Sequence, residues 1–547
     1  MSSGTPATHA TDPGHKDGRE VEWQLACTDL GPVRRWLSNH VRIGGLILEP
    51  RSTQQIFDTY FDTEDWRIHR AGYALRIRSE SGKSEASLKS LHSASEEFAD
   101  RRELSEPLNT SESVAICRSG GPVGARVHAV SGAHPLQPLF EVRTSRQRFA
   151  IRTEDEHRQL GEIALDDTVI SRPHGEPRAS LQRVEVEALG DVREPLQALV
   201  KTLRSDLALE AAADTKFSTG LKSVGLAPAP APQFASASLS PGMRIDEVPI
   251  ANLRRHVSAW HQYEPGARLG DDPENLHDLR VAGRKLDATL REFRHYVPPA
   301  LLRIRPTLKA TLRALGEARD LDVALSELES FGHELPEAER AGLEPLRRHL
   351  TLERAHARAR MIAQLDSPHV VKDLEALTTA VTSTAHKALS DESVLAVAPG
   401  LIRARYRKVR KGADRLTSQS SMEAFHAVRG RVKKLRYVLE SVAVIYGKPA
   451  DEMLRALRRW QERLGLQQDA HVASQRLQAL AADPPPGLPP ETLFLMGRLA
   501  EHYSATANRA RKSLGKARRK VRRRWKALKS RLEEMEPPGD TSASADD

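Results

Sequence analysis

The sequence predicts an α+β, multidomain chain: an N-terminal antiparallel β-sheet or barrel with flanking helices, followed by an all-helical, internally duplicated region. Three observations predict it. Up to about residue 225, apolar and charged residues alternate with a period of two in short segments. From about 245 to 532 the period becomes 3.6. Within that second region one block of sequence returns at a fixed offset of 149 positions. A length of 547 residues gives room for two to four such units.

The first alternating segment is "EVEWQL" (20–25), which puts Glu20, Glu22 and Gln24 on one face and Val21, Trp23 and Leu25 on the other. A helical piece is expected near 29–40 and another near 191–205. Between and after them "ALRIR" (74–78), "EASLK" (85–89), "RREL" (101–104), "RQRFAI" (146–151), "GEIALDD" (161–167) and "RVEVEAL" (183–189) read as strands. Parity groups Arg76 with Arg78, Glu85 with Ser87 and Lys89, Arg101 with Glu103, and Arg146 with Arg148. It also groups Glu162 with Asp166, and Arg183 with Glu185 and Glu187.

Each strand thus has one apolar and one charged side. An open antiparallel sheet turns its charged side to water. A barrel can instead turn it inward, and the segregation of Arg/Lys faces from Glu/Asp faces favours that arrangement. Such a lumen suits a chain of phosphates, because guanidinium groups grip oxygens bidentately and clustered carboxylates hold a hard divalent cation.

"APAPAPQFASASLSPG" (227–242) reads as a semi-extended linker. The expected boundaries are a first domain over 18–225, a linker over 226–244 and a helical domain over 245–532. Tails at 1–17 and 533–547 are expected to be disordered. In the helical region "LHDLRVAGRKLDATL" (276–290) aligns with "FHAVRGRVKKLRYVL" (425–439), and "LGEARDLDVA" (315–324) with "LGLQQDAHVA" (464–473), both 149 positions apart. This implies two copies of a bundle related by pseudo-twofold symmetry.

At 100° per residue His277, Arg280 and Arg284 form one stripe, with Arg291 beyond, and His426, Arg429 and Lys433 form its copy. Lys285 matches Lys434, and Arg254 matches Arg403 at the same spacing. The stripes lack acidic residues at i+4 in their first two turns. Unpaired like charges weaken a helix, so an anion is the expected neutraliser. Asp320 and Asp469 are expected to make structural contacts.

A formal charge of +10 and a pI near 9.5 point to polyanionic partners. No apolar run reaches the roughly 18 residues of a membrane span, and the first 19 residues have no apolar core, so a cytoplasmic protein without a membrane partner is expected. Two cysteines exclude a disulfide framework and a cysteine-built zinc site. Nucleic acid is disfavoured as a partner, because aromatics make up only 5% of residues and acidic strand faces repel a phosphodiester backbone.

The N-terminal half resembles the CYTH family of triphosphate tunnel metalloenzymes, whose signature Glu-x-Glu-x-Lys stands here as Glu20, Glu22 and Gln24. "TYFDTEDWRIHRAGYALRIR", "ASLK", "RRELSEPL", "GEIALDD", "VEVEAL" and "DTKFSTGL" follow in that family's order. The resemblance implies an antiparallel barrel forming a tunnel, Mg²⁺ or Mn²⁺ as cofactor, and hydrolysis of inorganic triphosphate by attack of water on the terminal phosphorus. It implies Glu20, Glu22 and Glu187 as catalytic residues, and Glu20, Glu22, Glu103, Glu162, Asp166, Glu185 and Glu187 as metal ligands. Arg76, Arg78, Lys89, Arg101, Arg146, Arg148 and Lys216 are implied as triphosphate ligands. Gln24 departs from the signature lysine, and Thr219 from the arginine of a Lys-x-x-Arg pattern beginning at Lys216.

The helical half is similar to the CHAD family, which implies two four-helix bundles binding inorganic polyphosphate, including polyphosphate granules. The residues implied are Arg254, His277, Arg280, Arg284, Lys285, Arg403, His426, Arg429, Lys433 and Lys434. The competing expectations are a polyphosphate-binding scaffold without catalysis and a basic nucleic-acid-binding protein. Nucleotide cyclisation or thiamine-triphosphate cleavage are further activities found in the tunnel family.

Overall fold

The computed structural model of the chain describes residues 16–92, 98–190, 192–234, 238–383, 388–417 and 419–537. It divides into two compact units, one formed by the chain up to Ala231 with Pro265–Asp272, the other by Pro232–Glu264 with Pro273 onward. Residues 1–15 and 538–547 of the expected tails, and 235–237 of the expected linker, lie outside the described residues.

The first unit is built on β1 (Lys16–Cys27), β2 (Arg42–Ile43), β3 (Leu46–Thr63), β4 (Tyr73–Glu80) and β5 (Lys83–Ser90). These are followed by β6 (Ala99–Leu108), β7 (Leu136–Thr153), β8 (Gln159–Ser171), β9 (Pro177–Ala188) and β10 (Glu210–Ala211). Eight of them close an antiparallel barrel in the order β1-β6-β5-β4-β3-β7-β8-β9, with β9 pairing back onto β1. The short β2 and β10 pair with β3 and β1. Closure is made by β1, whose first half pairs with β6 (Glu20 opposite Arg101) and whose second half pairs with β9 (Glu22 opposite Glu187). A closed barrel leaves none of its strands as a free edge.

Period-two alternation decides which way each side chain turns. Val21, Trp23 and Leu25 of β1 point out and pack on Val33 and Leu37 of the helix Leu30–Asn39 and on Leu196 and Leu203 of the helix Glu194–Leu207. Leu75, Ile77, Leu88 and Leu104 point out against Ile116, Val123 and Val127 of the helices Ser113–Arg118 and Pro122–Ser131. The charged sides of the strands are left facing the lumen.

One end of the lumen is filled by the helix Lys216–Val224, whose Phe217, Leu221 and Val224 pack on the inward-facing Tyr60, Phe140, Val142 and Ile170. Thr215 caps this helix by accepting from the Ser218 amide at 3.1 Å. The helix approaches so closely that a β-carbon added at Gly220 would lie 2.2 Å from the Phe140 ring. Gly220→Ala is therefore expected to destabilise the barrel by about 1–3 kcal/mol. The check is its thermal unfolding transition, and a variant as stable as wild type would contradict this packing.

The second unit is all-helical. Its first copy contains the helices Glu247–Leu269, Pro273–Glu292, Arg305–Glu334 and Glu344–Leu365, and its second Val394–Asp414, Met422–Glu440, Lys448–Ala482 and Pro490–Met535. Pro273 and Met422, which open corresponding helices, lie 149 positions apart, so the repeat seen in the sequence is a repeat of structure. Val428, Val432, Leu435 and Leu439 pack on Met453, Leu457 and Trp460 in the core of the second copy. The helices Pro273–Glu292 and Met422–Glu440 touch each other, which brings the two basic stripes together.

Candidate functional site

Within the barrel lies a cavity of about 390 Å³, a size ordinary for a small-ligand site. Glu20, Glu22, Gln24, Arg76, Arg78, Lys89, Arg101, Glu103, Arg146, Glu185, Glu187 and Lys216 all line it. Register explains the convergence. Gln24 lies opposite Glu185, Arg76 opposite Ser87, Lys89 opposite Glu103, and Glu162 opposite Glu187.

The acidic side is gathered around Glu22, which is 4% exposed. Its Oε1 accepts from Lys89 Nζ at 2.9 Å and from Gln24 Nε2 at 2.8 Å, and Lys89 also pairs with Glu20. Burial raises Glu20 and Glu22 above the ordinary glutamate range, with the Lys89 ammonium opposing it and neighbouring carboxylates adding to it. Burial pushes Glu187 up to about 7, reinforced by Glu20, Glu22 and Glu162. No hydrogen bond or ion pair is described for the Glu187 carboxylate.

Other carboxylates are already held by cations. Burial alone would raise Asp58, but Arg78, bound to it at 2.8 and 2.9 Å, and Arg76 outweigh that and hold it at about 2. Arg146 grips Asp166 bidentately at 2.7 and 2.6 Å and reaches Glu185 at 2.6 Å, while Lys216 pairs with both acids. Against its burial, Lys216 and Arg146 hold Glu185 well below the ordinary range. Arg76 bonds Ser87 Oγ and Glu103, each at 3.1 Å. Arg101 differs: its Nε is buried without a hydrogen-bond partner, and no ion pair is described for it.

Three residues expected at the site are not on the cavity wall. Asp166, a metal ligand by the resemblance, is fully buried, is paired with Arg146 and Lys216, and does not line the cavity. Arg148 and Glu162 face one another at 3.6 Å, and Arg148 also bonds Glu80 at 3.3 Å.

Hard oxygen donors suit Mg²⁺ or Mn²⁺, and Glu187, opposite Glu22 and without a partner among the described residues, adds to the negative charge that such an ion would neutralise. Among the described residues no three His, Cys, Asp or Glu side chains are already gathered as a metal cage. Lys89 instead acts as the counter-cation between Glu20 and Glu22.

In the helical unit Arg280, Arg284, Arg429 and Lys433 converge from both copies, with Arg436 beside them. Arg280 Nη1 meets Asp320 Oδ1 at 3.2 Å, and Arg429 Nη2 lies 3.8 Å from Asp469 Oδ2. A β-carbon at Gly316 or Gly465 would lie 3.3 or 3.2 Å from these same guanidinium groups, so each repeat uses its glycine to seat its arginine. No acidic partner is described for Arg284 or Lys433, and Arg284 Nε is buried unbonded. Burial, then Arg284, Arg429, Arg436 and Arg280, push Lys433 down to about 7.

His277 is half-buried near this cluster's helix start, and His426 and Lys434 are exposed. Lys285 turns to a separate polar cavity of about 250 Å³ lined also by His256, Glu440 and Arg458. Arg254 Nε donates to the Val381 carbonyl at 2.7 Å, and Arg403 is bound by Glu536 with Nη1 at 2.9 Å from Oε1. Those two arginines, implied by the resemblance as polyphosphate ligands, are each bonded to protein groups.

Sequence reasoning missed Asp58, the buried anchor of Arg76 and Arg78, and Arg183, which is 6% exposed and bonds Gln24. Parity groups Arg183 on one face with Glu185 and Glu187, and that is the available signal.

A family model described as the CYTH domain matches residues 44–218, and one described as the CHAD domain matches residues 251–478. The first match begins after β1, the strand carrying Glu20 and Glu22. An uncharacterized protein of Mycobacterium tuberculosis, present in two strains, is 28% identical over 512 residues, covering 87% of this chain and 91% of its own length. The CHAD domain from the plant Ricinus communis is 25% identical with a TM-score of 0.44, covering 52% of this chain and 95% of that one. A protein from Hippeastrum, described with a dominant triphosphatase activity, is 18% identical with a TM-score of 0.28, covering 38% of this chain and 97% of that one.

Proposed function

The chain belongs to the CYTH–CHAD proteins, with an N-terminal CYTH and a C-terminal CHAD domain, and from that premise we propose that it is a metal-dependent inorganic triphosphatase carrying a polyphosphate-binding module. The observation that carries the barrel reading is the lumen with carboxylates and cations on its wall, in which the Arg101 guanidinium and the Glu187 carboxylate have no described ionic partner. Arg101 binds phosphate oxygens outright. Lys89 and Arg76, now held by Glu20, Glu22 and Glu103, exchange part of that pairing for phosphate.

Glu20 and Glu22 are the residues that would hold Mg²⁺ or Mn²⁺, whose bound charge would offset that of the triphosphate. Water attacks the terminal phosphorus, the P–O bond to the departing pyrophosphate breaks, and the water's proton passes to Glu187. Burial, the first cause of the raised Glu187 carboxyl in the metal-free protein, persists with an ion on Glu20 and Glu22 and favours its taking up that proton. The test is phosphate release from tripolyphosphate with Mg²⁺ or Mn²⁺, and with chelator. Metal-dependent release is expected. Tight tripolyphosphate binding without turnover would overturn catalysis in favour of the second reading, a binding scaffold, which the Lys89 bridge across Glu20 and Glu22 favours.

The helical unit is proposed to hold polyphosphate on Arg280, Arg284, Arg429 and Lys433, because four cations from two repeats meet there while, among the described residues, only Arg280 and Arg429 have acidic partners. With its ammonium depressed to about 7 in the free protein, Lys433 is charged below that pH and a bound polyanion raises it again. Affinity for polyphosphate is therefore expected to fall as pH rises from 6 to 8, with proton uptake on binding near pH 7. Lys433→Arg should flatten the profile, since the ligand's own titration is common to both proteins. An unchanged profile in that variant would contradict the assignment.

A further inference from the structure

Arg183 faces inward from β9 at the plugged end of the barrel, with Gln24, Thr219 and Asp214 around it. A guanidinium buried to 6% exposure ordinarily pairs with a carboxylate. Its described hydrogen bonds go to neutral acceptors instead. Nη1 donates to Gln24 Oε1 at 3.1 Å, and Nη2 donates to the Asp214 carbonyl at 2.6 Å and to Thr219 Oγ1 at 3.3 Å.

Arginine only donates, so the Gln24 amide must turn its oxygen to Arg183 and its nitrogen away. That nitrogen donates to Glu22 Oε1 at 2.8 Å. The result is a relay, Arg183 to Gln24 to Glu22, ending on a carboxylate of the cavity wall.

Gln24 and Thr219 are also the two positions where a cation implied by the resemblance is replaced by a neutral side chain, and both touch the same guanidinium. We propose that Arg183 supplies the positive charge that positions 24 and 219 lack, and that it positions Glu22 through Gln24. Arg183 does not line the cavity, so it is a positioning residue that acts through Gln24 and through its field. The proposal rests on the triphosphate reading of the barrel. It has a consequence for Gln24→Lys: an ammonium there would face Arg183 across a hydrogen-bond distance, so restoring the signature lysine adds repulsion rather than grip.

The experiment is a double-mutant cycle on the full chain with Arg183→Gln, Gln24→Lys and both together, plus Arg183→Lys. It reads tripolyphosphate affinity by calorimetry, kcat and KM with Mn²⁺, and the thermal midpoint of the barrel without ligand. Arg183→Gln is expected to weaken tripolyphosphate binding roughly tenfold, with Arg183→Lys keeping part of it. Gln24→Lys alone is expected to lower the ligand-free midpoint, and the double variant to recover both midpoint and binding, a non-additive result. Full affinity in Arg183→Gln, or additive effects throughout the cycle, would overturn the proposal. A wild-type chain that binds no tripolyphosphate would instead overturn the triphosphate reading, while the ligand-free midpoints still decide whether positions 24 and 183 exchange charge.

Discussion

Glu22→Gln is expected to abolish metal-dependent phosphate release, lowering kcat/KM by on the order of a thousandfold. The substitution keeps the side chain's size at a position 4% exposed, so the strand and its outward packing on Trp23 and Leu25 are preserved. What it removes is one of the two carboxylates that share Lys89 and, under the proposal, one of the two that would hold the metal. Positioning and charge neutralisation supply nearly all of the catalysis in phosphoryl transfer, so losing an anion at that point costs far more than the single hydrogen bond it replaces. The measurement is steady-state phosphate release together with Mn²⁺ affinity. Wild-type turnover with weakened Mn²⁺ binding would remove Glu22 from the reaction but not from the metal site, and unchanged values of both would remove it from both.

The second large effect is expected when Arg280, Arg284, Arg429 and Lys433 are all changed to Gln: polyphosphate affinity should fall by roughly two orders of magnitude or more, and its dependence on salt should flatten. The same variant should be as stable as wild type or more so. The four cations repel one another, and burial together with that repulsion pushes Lys433 down to about 7, so a cluster kept for an anion lowers stability in the anion's absence. Binding and stability thus move in opposite directions, whereas loss of both would mean that the cluster is a packing element. The midpoint for Arg284→Gln alone sharpens the comparison, because no acid is described beside that side chain. Arg280→Gln would also break the pair with Asp320.

What the sequence makes legible follows from local periodicity. A period of two turns Glu20, Glu22 and Gln24 to one side and Trp23 to the other, and the offset between His277 and His426 marks the duplication. Barrel closure and the identity of each strand's neighbours are non-local, and those were harder to read. β3 does not stand out by its own alternation, since "PRSTQQ" (50–55) interrupts the apolar pattern, although a register shift between Pro50 and Thr53 lets the strand continue along β7.

The same limit explains the charge network. Searching for acids at i+4 could not find Asp320, which comes to Arg280 from the neighbouring helix, or Glu536, which comes to Arg403 from 133 positions away. Asp58 gave no motif, yet register puts it opposite Arg78 and makes it the anchor of that arginine. Gln24 read in isolation is a lost cation. Seen with Arg183 it is the middle of a relay.

Under the proposal the charges lining the barrel's lumen are a site for triphosphate with a divalent ion. The most direct measurement is a crystal of the full chain soaked with Mn²⁺ and a non-hydrolysable tripolyphosphate analogue, read by anomalous scattering. A manganese peak bound by Glu20 and Glu22 inside the lumen is expected, with phosphate oxygens on Arg101 and Lys89. A lumen free of both, with ligand found only on the outer surface of the barrel, would contradict it.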